Sequence, residues 1–142
     1  MTTQFPVKDI TKLIPQKAPF VMVDSLLDFS ETKVESAFTI LSNNLFVENN
    51  NFTEPGLVEN MAQTVALHTG YNYYIKGEDA PTGYIGSIKK TTIKKLPKVN
   101  DVITTKVNVL HEIMGVTMVE IMVFNAQNEE IASAEMKTVI AS

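Results

Sequence analysis

The chain has 142 residues, 44% of them hydrophobic and 20% charged, which suits one domain with its own core and excludes a disordered chain. Twelve lysines, no arginine and sixteen carboxylates leave a net charge of -4, a balance that argues against a nucleic-acid partner, and the absence of cysteine excludes disulfides, thiolate nucleophiles and thiolate metal sites. Two histidines leave little for an imidazole metal site, the apolar runs are too short to span a bilayer, and the N-terminus lacks the basic and apolar regions of a secretory signal, so no metal, no membrane span and a cytoplasmic location are expected.

In chain order, the residues up to Leu13 read as a short helix that stops before Pro15, and residues 15–19 stay extended because proline disfavours helical geometry around it. Residues 20–29 and 33–41 read as two strands joined by a turn at Ser30, Glu31 and Thr32. Val34, Ser36, Phe38 and Ile40 then share one face of the second strand. A polar loop follows, marked by Asn43, Asn44, Asn49, Asn50 and Asn51.

Residues 55–75 contain few β-branched side chains, and Thr53 or Glu54 before Pro55 suits a helix entry with proline in the first turn. Its body, from Leu57 and Val58 through Met61, Ala62, Val65, Ala66 and Leu67, is apolar over most of its circumference, so this one long helix is expected to be buried on several sides. Residues 84–96, 102–113, 116–124 and 131–140 return to strand character, with Gly115 and residues 125–130 as turns between the last three, the pattern of an antiparallel meander. Two strands, a long helix and four strands predict an α+β fold, with an antiparallel sheet curled round one central helix. So apolar a helix, covered by one sheet, also predicts a dimer whose sheets meet edge to edge.

Lys89, Lys90, Lys94, Lys95 and Lys98 fall within ten residues of this otherwise acidic chain. They suit either a lysine-protected strand edge or a docking face for an anionic partner.

Inside the helix, Glu59, Gln63, Ala66 and Gly70 line up at helical spacing, placing a carboxylate above small residues that leave room for a narrow ligand. The alternative is a carboxylate stabilised by the positive end of the helix dipole, typically worth about 0.3–1 kcal/mol. His68, nine residues on, is rotated by roughly 180° and cannot pair with Glu59 in one chain. By parity His111 shares a strand face with Val107, Val109 and Ile113, where a hydrogen-bonded histidine at the edge of the core is expected. No Gly-x-Ser-x-Gly elbow and no phosphate-cradling glycine loop is present.

Ile10, Leu13, Pro15-Gln16-Lys17, the run Pro19-Phe20-Val21-Met22-Val23-Asp24 and Glu59-Asn60-Met61-Ala62-Gln63 together resemble the hotdog-fold 3-hydroxyacyl-acyl-carrier-protein dehydratases of the FabA and FabZ type. Those enzymes read Leu-Pro-His-Arg-x-Pro-Phe-Leu-x-x-Asp near the start and Glu-Ala-Met-Ala-Gln on the central helix. Within that family the chain is most similar to the dehydratase-like proteins of aryl-polyene and flexirubin pigment clusters, which share its short loop before the helix. The resemblance implies a hotdog fold, a dimer with the acyl chain in a tunnel at the interface, no cofactor, and Glu59 as catalytic acid. It assigns substrate binding to Gly56, Leu57, Gln63, Pro19 and Phe20, with the Gly56 and Leu57 N–H groups polarising the thioester carbonyl, and makes Lys89, Lys90, Lys94 and Lys95 the docking face for an acidic acyl carrier protein.

The family's base is a histidine in a Gly-His-Phe-Pro loop before the helix, whereas residues 46–54 here contain none, and Gln16 replaces the histidine of the first motif. Three functions stay open: a lyase acting on 3-hydroxyacyl thioesters of carrier protein or CoA, a thioesterase using Glu59, and a non-catalytic subunit. The corresponding assemblies are a homodimer and a heteromer with a histidine-bearing hotdog protein.

Overall fold

The computed structural model describes residues 5–140. Its strands are β1 (Ser25–Ser30), β2 (Lys33–Thr39), β3 (Val47–Glu48) and β4 (Asn51–Phe52), then, after helix α1 (Glu54–Ile75), β5 (Gly83–Ile93), β6 (Val102–Ile113), β7 (Val116–Phe124) and β8 (Glu130–Ile140). Six strands form one antiparallel sheet in the order β1-β2-β6-β7-β8-β5, and β3 and β4 form a separate small hairpin. The α+β expectation and the final meander are borne out, with β5 returning to the far edge beside β8.

Side-chain alternation explains how the sheet holds the helix. Val34, Ser36 and Phe38 of β2, Ile103, Thr105 and Val107 of β6, and Val119, Ile121 and Val123 of β7 all turn inward at period two. Against them α1 buries Leu57, Met61, Val65, Leu67 and Tyr71, each apolar side chain contributing about 1.5–3 kcal/mol. Thr53 stands at the N-cap without a side-chain cap bond, and Pro55 occupies the first turn. No helix among the described residues is long and apolar enough to cross a membrane.

The N-terminal segment departs from expectation. Residues up to Leu13 form no helix within the described residues: Asp9 accepts hydrogen bonds from the Thr11 N–H (3.2 Å) and hydroxyl (2.6 Å), and Leu13 N–H closes a turn onto the Ile10 carbonyl (2.9 Å). An aspartate that satisfies nearby backbone competes with the helical ladder. The first strand of the sheet is also shorter than expected, starting at Ser25 rather than Phe20. The polar loop contains the β3–β4 hairpin, turning at Asn49 (φ 51) and Asn50 (φ 66), a left-handed pair that asparagine tolerates.

Gly70 makes the N-terminal segment fit. A Cβ there would overlap the Leu13 carbonyl oxygen, so the segment lies directly on the helix backbone. Alanine in a helix interior normally stabilises by about 1 kcal/mol over glycine. Here Gly70→Ala is expected to destabilise by about 1–3 kcal/mol through backbone displacement, read as a lowered urea midpoint; a raised midpoint would mean that Leu13 does not sit on the helix.

Candidate active site

The central site grows from two amide side chains on α1. Asn60 Nδ2 donates to the Met22 carbonyl (2.7 Å), while its Oδ1 accepts from the Thr105 hydroxyl (2.6 Å). Gln63 Oε1 accepts the Met22 N–H (2.6 Å), and its Nε2 donates to the Phe20 carbonyl (2.8 Å) and to Glu59 Oε2 (2.8 Å). Thr64 extends the network, donating to the Asn60 carbonyl (2.8 Å) and pairing with Ser36 (2.8 Å). Residues 20–22 therefore pair with helix side chains where the sequence suggests a strand.

This geometry fixes the orientation of Glu59. The Met22 N–H requires an acceptor, so the Gln63 carboxamide presents oxygen to Met22 and nitrogen to Glu59. Glu59 Oε2 is thereby an acceptor, and Oε1 is the oxygen left without a hydrogen-bond partner among the described residues. Glu59 is half-buried and lines a cavity of about 480 Å³, within the roughly 300–1,000 Å³ usual for small-molecule sites. The other walls are residues 12–16, the α1 positions Ala62, Ala66 and Gly70, residues 79–85 and the end of β8.

The small-residue stripe is partly as expected. Ala66 and Gly70 do line the cavity with Glu59, but Gln63 is buried behind it as the clamp, and Ala62 takes a place in the lining. Of the other candidate substrate contacts, Leu57 is fully buried in the core and its N–H is spent on the Thr53 carbonyl (3.2 Å). Gly56 packs under the Phe52 ring, where a Cβ would come within 2.5 Å, and its N–H carries no backbone bond among the described residues. Pro19 is exposed, and Phe20 is 58% exposed beside the clamp. None of these four lines the Glu59 cavity.

Both histidines are elsewhere. His68 Nε2 lies 2.9 Å from the Ser30 carbonyl and its ring stacks on Phe29 at 5.1 Å. His111 is exposed, because a register shift between Val109 and His111 breaks the parity that would have placed it with the core valines. Among the described residues no group of three or more His, Cys, Asp or Glu side chains could hold a metal.

On β5 and just beyond it the lysines interleave with glutamates: Lys90–Glu135 at 3.1 Å, Lys94–Glu130 at 3.4 Å and Lys95–Glu129 at 3.5 Å. An Asn125 side-chain hydrogen bond, with Lys95 alongside, holds the Glu129 carboxyl below the usual carboxylate range. Lys89 has no ion-pair partner among the described residues. Sequence reasoning missed the clamp role of Asn60, and it missed Lys12 and Gln16 in the cavity wall, where the Gln16 Oε1 is buried with no hydrogen-bond partner among the described residues. Only tertiary placement of the 12–22 segment reveals these roles.

A long helix wrapped by a six-stranded antiparallel sheet defines a hotdog fold. The chain belongs to the ApeP-like dehydratase family, whose model matches residues 8–142. It is similar to the 3-hydroxyacyl-acyl-carrier-protein dehydratase FabZ of Clostridium botulinum, 29% identical over 140 residues that cover 94% of this chain and 94% of that protein. FabZ of Variovorax paradoxus is 29% identical over 114 residues, 76% of each chain. Among solved structures, the dehydratase heterocomplex ApeI:P from Xenorhabdus doucetiae shares the fold with a TM-score of 0.87 at 14% identity, covering 99% of this chain and 93% of that one. A hypothetical thioesterase with coenzyme A from Streptococcus pneumoniae shares it with a TM-score of 0.68 at 14% identity, covering 82% and 84%.

Gln63→Leu keeps the volume but leaves the fully buried Met22 N–H without an acceptor and removes the donor of the part-buried Phe20 carbonyl. At about 1–3 kcal/mol for the orphaned Met22 group, the variant is expected to lose at least ~1 kcal/mol in chemical denaturation; near-native stability would show that the clamp is dispensable.

Proposed function

We propose that this chain is the acid-bearing subunit of a dehydratase for 3-hydroxyacyl thioesters on acyl carrier protein or CoA, working in the cytoplasm beside a second hotdog protein that supplies a histidine. The observation that carries this reading is the oriented Glu59 carboxyl with no histidine beside it: the chain has two, one bonded at Ser30 and the other exposed on β6. Relatives named as acyl-carrier-protein dehydratases support the substrate class, and a structural relative that is a heterocomplex supports the divided site. Fatty-acid or polyene-type biosynthesis is the setting that such thioesters suit.

In this reaction the partner's base takes the α-proton of the thioester while Glu59, protonated on Oε1, gives its proton to the β-hydroxyl. The C–O bond breaks, water leaves and the α,β-double bond forms. The Gly56 N–H is left unbonded at the helix start, whereas the Leu57 N–H is spent; as Gly56 does not line the Glu59 cavity, it would meet the thioester oxygen only from outside that cavity. Exposed Pro19 and Phe20, next to the clamp, are placed for contact with substrate or partner. The free edge of β5 suits edge-to-edge pairing with either a second copy or that partner.

A purified chain incubated alone with a 3-hydroxyacyl carrier substrate is expected to form enoyl product weakly or not at all. Adding a histidine-bearing hotdog partner should raise the rate by about 100-fold to 10,000-fold, and Glu59→Gln should abolish the gain with little change in melting temperature. Rapid enoyl formation by the chain alone, unaffected by changing His68 or His111, would overturn the divided site. Release of free thiol instead of enoyl product would favour the thioesterase alternative.

The β5 lysines are the proposed contact for the acidic carrier body. Reversing Lys89 and Lys94 should weaken carrier binding in a salt-dependent manner and leave a small thioester mimic unaffected. Equal effects on both ligands would remove docking as their role.

A further inference from the structure

Hydrogen bonds run in one direction from the sheet to Glu59. The Thr105 hydroxyl on β6 donates to Asn60 Oδ1 (2.6 Å), Asn60 Nδ2 donates to the Met22 carbonyl (2.7 Å), the Met22 N–H donates to Gln63 Oε1 (2.6 Å), and Gln63 Nε2 donates to Glu59 Oε2 (2.8 Å). Thr105, Asn60, Met22 and Gln63 are fully buried, so water does not compete for these groups. The Met22 carbonyl can only accept, which turns the Asn60 nitrogen towards it and leaves the Asn60 oxygen for a hydroxyl that must then donate. Among the described residues the nearest main-chain bonds on either side of Met22 are those of the Phe20 N–H to the Lys17 carbonyl (2.9 Å) and of the Asp24 N–H to the Ala37 carbonyl (2.8 Å). The direction of the Met22 N–H therefore depends on how Asn60 holds the carbonyl of the same residue.

We infer that Thr105 is a positioning residue for Glu59, setting the direction of its proton through Asn60, Met22 and Gln63, although it touches neither the carboxyl nor the cavity. This inference rests on the proposed dehydration for its chemistry and extends it to a residue of the sheet. A second buried hydroxyl supplies the comparison. Ser36 on β2 bonds the Thr64 hydroxyl (2.8 Å) and so joins the same helix to the sheet. Thr64 in turn donates to the Asn60 main-chain carbonyl (2.8 Å), so this branch passes no bond onward to Met22 or Gln63. Removing one hydroxyl from each branch separates support of the fold from aim of the carboxyl.

The test compares the unaltered full chain with Thr105→Val, Thr105→Ser and Ser36→Ala. In nitrogen–proton correlation spectra, Thr105→Val is expected to raise solvent exchange of the Gln63 side-chain N–H protons by at least about threefold. Thr105→Ser should stay close to the unaltered chain, and Ser36→Ala should leave those protons as they are. With the histidine-bearing partner present and the two epimers of 3-hydroxybutyryl-CoA as substrates, Thr105→Val should lower the ratio of kcat/KM between the epimers about threefold to tenfold, and should reduce kcat more than it raises KM. Thr105→Ser should restore that ratio and Ser36→Ala should keep it. Because the ratio is taken within one preparation, a loss of folded protein does not move it. A ratio near one in the unaltered chain, Gln63 exchange or an epimer ratio unchanged by Thr105→Val, or an equal change in Ser36→Ala, would overturn the inference. Failure of the dehydratase reading shows differently, as no enoyl product from either epimer with the unaltered chain and its partner, and the exchange measurement then decides the inference by itself.

Discussion

The arrangement of the site depends on one constraint: the Phe20 carbonyl and both polar groups of the Met22 backbone are bonded by helix side chains. Met22 offers both its N–H and its carbonyl to α1, the first to Gln63 and the second to Asn60. Met22, Asn60 and Gln63 are all fully buried, so these bonds have no competition from water, and any one left unmade would carry the desolvation cost of its orphaned group. From this junction the segment back to Leu13 is laid against the helix, the cavity gains a wall, and β1 begins only once the chain has passed the clamp. The same amide that fastens the chain also aims the carboxylate, which couples the integrity of the fold to the chemistry of the site.

The regular elements were legible because their periodicity is strong. The helix read as 55–75 spans Glu54–Ile75, and three of the last four strands lie within one residue of their expected bounds at both ends. Val34, Ser36 and Phe38 lie on the buried face that alternation gives them, and Ile40 just beyond the strand is buried with them. The failures share a different cause, namely tertiary contacts that periodicity does not encode. Residues 20–24 have strand-like composition, yet the Phe20 carbonyl and the Met22 N–H and carbonyl are met by helix side chains. Gly70 lines the cavity as its spacing suggested, but the contact of its backbone with the Leu13 carbonyl was not legible. His111 followed the alternation of β6 until a bulge, invisible in composition, moved it to solvent.

Of the candidate site, Glu59 was legible as a carboxylate on a mostly apolar helix, and its cavity lining by Ala66 and Gly70 followed from helical spacing. The partners of Glu59 were only half legible: Gln63 lay on the expected stripe but faces inward to the main chain as well as toward the acid. The lysine cluster illustrates a further limit. Its five cations are visible in the sequence, but three of them are matched by Glu129, Glu130 and Glu135, which are distant in sequence and adjacent in the sheet. Exposed pairs of this kind contribute little stability individually, yet they lower the net field of that edge. Charge density along a sequence is therefore a poor guide to charge density on a surface.

The fixed direction of the Gln63 carboxamide has a stereochemical consequence. Because Met22 dictates which end of that amide faces Glu59, the carboxyl group has two chemically distinct oxygens: one is confined to accepting, and a transferable proton belongs on the other. A carboxyl group free to turn would offer its proton from either oxygen and serve both epimers of a bound alcohol. In the proposed dehydration, Glu59 held in this way would offer its proton along one direction, so a bound 3-hydroxyacyl chain would lose its hydroxyl preferentially from one of the two epimers.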